Sequence, residues 1–387
     1  MKEKFFTIID YLNMRGDLSF EKSDFNAVDA LILSQMSYNN IDGLVSQDFS
    51  HGIKLSELVK KYNSLDDCEV RNNMGAMINP LTPKLMEAVA ATERFGHIKV
   101  GGFINKIDEE NIEQFCAMTF EIQKGRYVIV FRGTDDTIAG WYEDFNLGYM
   151  EEIPSQRDTV DYVRRAMSKY KGNFIFTGHS KGGNLAVKGA MAVEKKNVAR
   201  LEAVYDFDGP GFYPSVIRTP EFAQIKDKIK AFVPGFCVVG MLFEHDYKIT
   251  AVSCEADGIL QHDPFSWKVM GPDFVKADKI DEKALFFSTS VNDWTARLSA
   301  ADRKKFVDTF FDVVNASGAK TNYEIEQNKL TCGGKMIARL SELDEQERHD
   351  LLRALKVMVK VAKNNIPMIS VFDIKHELKE QIKKLRR

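Results

Sequence analysis

The chain has 387 residues, enough to bury a sizeable core as one α/β domain with insertions or a helical extension. Its 44% hydrophobic and 28% charged content is ordinary for a globular protein, and a net charge of −3 lacks the basic excess expected of a nucleic-acid partner. Five widely spaced cysteines (Cys68, Cys116, Cys237, Cys254, Cys332) with no CxxC pair argue against a disulfide framework or cysteine metal site, and no run of about 18 uncharged apolar residues is present to span a membrane.

In chain order, Met1 to Leu12 carries two lysines and an apolar run, but Asp10 interrupts it and no small-residue cleavage site follows. It does not read as a signal peptide, so a cytoplasmic setting is expected. Residues 1–60 read as largely helical: Val28, Leu31, Ile32 and Met36 share one helix face, with Ser23 or Asp24 as the upstream cap. Asn79-Pro80 and Thr82-Pro83 mark turns. Strand signals begin at Gln114–Ile122 and continue at Tyr127–Phe131, Phe174–Thr177, Leu201–Phe207, Lys230–Val233 and Lys248–Cys254. Helical segments separate them at 155–170, Asn184–Glu194 and Pro220–Lys228.

Strands alternating with helices predict a mostly parallel sheet with ligands at the strand tips. After about residue 280 the chain turns helical, at Ala300–Asn315 and Asp344–Lys363. The expectation is one domain over 1–387. Within it, about 1–110 forms a helical N-terminal portion and about 280–387 a helical C-terminal portion, as cap or flanking layer. Phe372, Leu378, Ile382 and Leu385 precede a basic terminus at helical spacing, which suits a docked terminal helix or a membrane-surface one.

Gly178-His179-Ser180-Lys181-Gly182 fits G-x-S-x-G between an apolar strand and a small-residue helix. That context makes Ser180 the candidate nucleophile: a sharp strand-to-helix turn exposes its hydroxyl, and flanking glycines admit close backbone. The Gly-Lys order does not make a phosphate-binding P-loop, which needs Gly-Lys-Ser/Thr. A base and an acid must follow in the chain. His262, in a loop after the Lys248–Cys254 strand, is favoured over His245, while His349 and His376 lie in charged helical stretches. Asp208, beside the Gly209-Pro210 turn, is favoured as acid over Asp206, the alternative at i−2. The oxyanion candidates are Thr134, after the Val128–Phe131 strand, and the N–H of Lys181. Trp141, Tyr142 and Phe145 can line an acyl pocket or pack in the core. Arg132, Asp135, Asp136 and Asp144 form a charged cluster that either binds substrate or braces the loop.

Phe131-Arg132-Gly133-Thr134 followed by Gly178–Gly183 resembles the class 3 lipases, in which the residue after the Arg-Gly pair forms the oxyanion hole. The whole chain is similar to the Mbeg1-like family of bacterial α/β hydrolases. The matching stretches are Asp10–Leu12, Arg15–Leu18, Val28–Leu31, Arg132–Asp136, Gly140–Phe145, Gly178–Ala186, Asp208–Phe212 and Gln261–Pro264. The resemblance implies an α/β-hydrolase fold and the set Ser180, Asp208 and His262. Class 3 lipases carry their acid after the next strand, but Val233–Gly240 here has no carboxylate, which favours Asp208 or Asp206.

The expected activity is carboxyl-ester hydrolysis through an acyl-enzyme, on a small or lipid acyl ester. It needs no cofactor or metal, no nucleic-acid partner and no stable membrane insertion. Thioesters or amides can use the same machinery. The rival is a catalytically idle scaffold that binds an acyl ligand or a protein.

Overall fold

The computed structural model describes residues 6–365. Its main sheet holds β1 (Ile53–Lys54), β2 (Lys99–Asp108), β3 (Glu113–Gln123), β4 (Arg126–Phe131), β5 (Asn173–His179), β6 (Leu201–Phe207), β7 (Ile229–Pro234) and β8 (Ile249–Val252). The eight strands lie side by side in sequence order. The pairings from β1 to β4 are antiparallel, and the four from β4 to β8 are parallel.

The apolar run in β4 shows why the sheet is covered on both faces. Side chains alternate across a strand. Val128 and Val130 join the core beneath the N-terminal helices, whereas Tyr127, Ile129 and Phe131 join the core under the helices Pro154–Lys169 and Lys181–Met191. A strand buried on both sides has to be apolar throughout.

The N-terminal part builds one of these covers. Every residue of the helix Ala27–Met36 is buried, and Ser34 and Thr177 of β5 meet hydroxyl to hydroxyl at 2.9 Å. The cap of this helix is Asn26 rather than Ser23 or Asp24. Its side chain accepts from the N–H groups of Val28 and Asp29, while Asp29 accepts from the Asn26 N–H. Asp24 is drawn away by an ion pair with Arg126 at 2.5 Å.

β2 lies inside the stretch read as helical. Its alternation is broken by Gly101-Gly102, where the register against β3 shifts and Gly102 takes φ +63. The stretch Pro220–Lys228 forms only a turn of helix, Pro220–Ala223, and a 3-10 turn, Lys226–Lys228.

The helices Glu282–Arg297, Ala300–Asn315, Asn322–Gln327, Lys329–Glu342 and Glu345–Asn365 follow the sheet. The second packs on the helix Ile138–Asn146, stacking Phe311 on Tyr142 at 4.3 Å and meeting Phe145 edge-on. Tyr142 and Phe145 are therefore packing residues, as is Trp141 in the same cluster. The apolar positions Phe372 to Leu385 lie outside the described residues. No helix among the described residues is long and apolar enough to cross a membrane.

Candidate active site

Ser180 stands between the end of β5 and the first residue of the helix Lys181–Met191, with φ 58 and ψ −132. This left-handed conformation is costly for a side chain with a Cβ, so the surroundings must enforce it. They do so through close backbone packing. A Cβ on Gly178 would lie 2.1 Å from the Gly182 carbonyl oxygen, and one on Gly182 would lie 2.2 Å from that of Phe131. Only glycine fits at these two positions. The Ser180 N–H donates to the Phe207 carbonyl at 2.9 Å, tying the turn to the tip of β6. The hydroxyl is partly exposed and forms no hydrogen bond among the described residues.

β6 delivers both aspartates, and the fold gives them different partners. Asp208, also at positive φ (55), accepts from His262 Nδ1 at 2.5 Å through Oδ2. Its other oxygen, Oδ1, accepts from the Cys237 thiol at 2.9 Å and from the Gly240 N–H at 3.1 Å. Asp208 is buried, and the His262 side chain is 29% exposed, so the imidazole reaches from the acid toward the surface. Asp206 instead braces its own turn. It accepts from the Gly209 N–H and the Tyr247 hydroxyl, both at 3.0 Å, and burial pushes its carboxyl up to about 7. His245 lies behind the turn, 3.5 Å from the Gly209 carbonyl.

His262 ends the 3-10 turn Gly258–His262, which several side chains hold. Trp267 Nε1 donates to the Gln261 carbonyl at 2.8 Å, and the Gln261 amide oxygen accepts from the Phe236 N–H at 2.7 Å. Asn79 reaches from the N-terminal part to Asp263 at 2.5 Å. His179 Nε2 lies 2.9 Å from the His262 carbonyl. Sequence reasoning missed these supports, and the Cys237 thiol, because each joins positions far apart in the chain.

The loop after β4 lies against the turn at Ser180. A Cβ on Gly133 would lie 2.4 Å from the His179 carbonyl oxygen and 3.2 Å from the Ser180 Cβ. Thr134 follows, its hydroxyl donating to Asp144 at 2.5 Å. Burial lifts the Asp144 carboxyl to about 6, against the pull of the nearby Lys181 ammonium. The Lys181 N–H opens a helix, where the first N–H groups lack intrahelical partners. Its side chain is buried and bonds Glu143 at 2.7 Å and both oxygens of Gln114, at 2.8 Å (side chain) and 2.9 Å (backbone). The charged cluster serves as bracing: Arg132 pairs with Asp135 at 3.0 Å, and Asp136 accepts N–H groups from Ala76, Met77 and Tyr323.

The family model for Mbeg1-like proteins matches residues 89–312, more than half of the chain and all of the sheet from β2 onward. The chain belongs to the Mbeg1-like family. Its mostly parallel sheet, with a sharp serine turn after β5, is an α/β-hydrolase fold. Among solved structures, M37 lipase is 18% identical with a TM-score of 0.35, over 55% of this chain and 68% of that one. The native propeptide complex of Rhizomucor miehei lipase is 16% identical with a TM-score of 0.34, over 65% and 81%. A triacylglycerol lipase from Penicillium expansum is 13% identical with a TM-score of 0.31, over 48% and 76%. No curated protein matches the chain.

Proposed function

We propose that this Mbeg1-like protein is a serine hydrolase of carboxyl esters, with Ser180 as nucleophile, His262 as base and Asp208 as the acid that orients it. One observation carries the reading. A serine is held at positive φ on a strand-to-helix turn, and the residue before it, His179, packs its ring 4.7 Å from that of a histidine whose Nδ1 is bonded at 2.5 Å to a buried aspartate. The Asp208 bond commits the Nδ1 proton and leaves Nε2 as the nitrogen free to take one. A catalytic hydrogen bond from serine to histidine commonly tightens only when substrate is bound, so the unbonded Ser180 hydroxyl is compatible with this role.

The chemistry then runs in two halves. Ser180 Oγ attacks the acyl carbon as its proton passes to His262 Nε2, and the carbonyl oxygen becomes an oxyanion. The N–H groups of Thr134 and Lys181 are its proposed donors; the Thr134 hydroxyl is already given to Asp144. Collapse of the adduct breaks the C–O bond, and the leaving alcohol takes the proton from His262. Water attacks the acyl-enzyme by the same route and releases the carboxylic acid. A lipid ester is the first substrate class to test, and a cytoplasmic setting fits the cysteine content.

The test is hydrolysis of p-nitrophenyl esters from acetate to palmitate, with fluorophosphonate labelling in parallel. Wild type is expected to turn over and to be labelled at Ser180, and Ser180→Ala to lose both. A folded wild type that neither labels nor hydrolyses any chain length would leave the binding-scaffold reading in its place.

A further inference from the structure

His179 occupies the variable position before the nucleophile and contributes no group to the chemistry above. It is buried at the end of β5, and its ring packs 4.7 Å, centroid to centroid, from that of His262. Its hydrogen bonds fix its tautomer. A carbonyl only accepts, so the contact between His179 Nε2 and the His262 carbonyl at 2.9 Å places the proton on Nε2. Nδ1 is then a bare acceptor, and it faces the buried Tyr38 hydroxyl at 3.4 Å. Burial holds the imidazole well below its ordinary pKa, so it stays neutral. The Tyr38 hydroxyl in turn packs against Gly133, the residue before Thr134: a Cβ there would lie 2.3 Å from the Tyr38 oxygen. The Tyr38 hydroxyl, seated against Gly133, therefore donates to His179 Nδ1. From the other side of the same ring, Nε2–H continues to the His262 carbonyl.

We propose that His179 is a positioning residue: it fixes the backbone of the base loop to the residue adjoining the nucleophile, and through Tyr38 it registers both against the oxyanion loop. The inference rests on the hydrolase reading of Ser180 and His262. Asp208 sets the angle of the His262 ring, but ring orientation alone does not set how far Nε2 stands from Ser180 Oγ. That distance depends on where the backbone of residue 262 sits. Its carbonyl is bonded to the side chain covalently next to Ser180. A displacement of about 1 Å at such a site can cost on the order of 100-fold in rate.

The experiment compares His179→Leu, which fills the space without a donor, with His179→Gln, whose amide can donate to the His262 carbonyl and accept from Tyr38. Tyr38→Phe, which removes only a hydroxyl, serves as the variant least able to disturb folding. In His179→Leu, labelling of Ser180 by a fluorophosphonate and kcat on a p-nitrophenyl ester are expected to fall about 10- to 100-fold, with KM within about twofold. His179→Gln is expected to restore most of the rate, and Tyr38→Phe to lose several-fold. Amide hydrogen exchange over 258–263 reads the same tether without turnover: faster in Leu, near wild type in Gln. Equal losses in Leu and Gln, or unchanged exchange and labelling in Leu, would overturn the proposal. A wild type that is never labelled at Ser180 defeats the hydrolase reading instead, and the exchange comparison still decides whether the tether exists.

Discussion

At the residue scale, two aspartates two positions apart illustrate how placement divides roles. From sequence, Asp208 ranks above Asp206 because it is nearer the Gly-Pro turn, and in the fold it is Asp208 that meets His262. The Asp206 carboxyl is walled in by Gly209 and Tyr247, a consequence of strand-tip packing that spacing alone does not reveal. Asp208→Asn should cut ester turnover by about 10³–10⁴, as loss of the orienting carboxylate does in such sites. Asp206→Asn should leave turnover nearly intact and alter stability with pH. Burial raises the folded Asp206 from its ordinary 3.8 to about 7. Between those values the folded state binds more protons than the unfolded one. Its contribution to stability is complete below about pH 3.8 and declines until about pH 7. Wild type should therefore lose Tm from pH 5 to pH 8, and Asp206→Asn should lose less. Equal slopes in the two proteins would show that Asp206 ionises freely.

At the scale of elements, the helix Ile138–Asn146 follows the loop after β4 and is anchored by charge as well as by its aromatic face. Glu143 accepts from Lys181 at 2.7 Å, from the Gln114 N–H at 3.1 Å and from the Ser155 N–H at 2.8 Å, all in buried surroundings. Buried pairs are costly to break by halves: removing one partner typically loses about 3–5 kcal/mol, while replacing both with apolar groups is often near neutral. Lys181→Met alone should show a loss of that size in urea unfolding. Combining it with Glu143→Leu should recover part of it, the recovery being limited by the N–H groups of Gln114 and Ser155. A double variant less stable than the sum of the singles would contradict the pairing. None of this was legible in the sequence. The strands β4 to β7 and the two crossover helices were, because local periodicity determines them. The Ile138–Asn146 helix and β2 were not: one is short and packs its aromatics on a helix some 160 positions later, and the other hides its alternation behind Gly101-Gly102.

At the scale of the whole molecule, Asp136 joins three parts of the chain that the sequence reading treated separately. Its Oδ1 accepts the N–H groups of Ala76 (3.0 Å) and Met77 (3.2 Å) from the N-terminal part, and Oδ2 accepts that of Tyr323 (2.9 Å) from the C-terminal helices. Its carbonyl also takes the Asn322 N–H at 2.9 Å and side-chain amide at 3.1 Å, and Asp136 itself lies two residues beyond Thr134. The segment it holds by Ala76 and Met77 continues to Asn79, which is bonded to Asp263 beside His262. The N-terminal segment is thus pinned at one end to the loop after β4 and at the other to the loop that carries His262. Asp136→Ala would strand three N–H donors, each worth roughly 1–3 kcal/mol if left without a partner and less where water reaches it. The expected signature is paired. Limited proteolysis should open both 72–81 and 318–328 in the variant, at matching rates, while the sheet core stays resistant. Cleavage of one segment alone would mean that the two are held independently and that Asp136 is a local cap. Cleavage of both would mean that the N-terminal and C-terminal parts are fastened to the site through a single carboxylate.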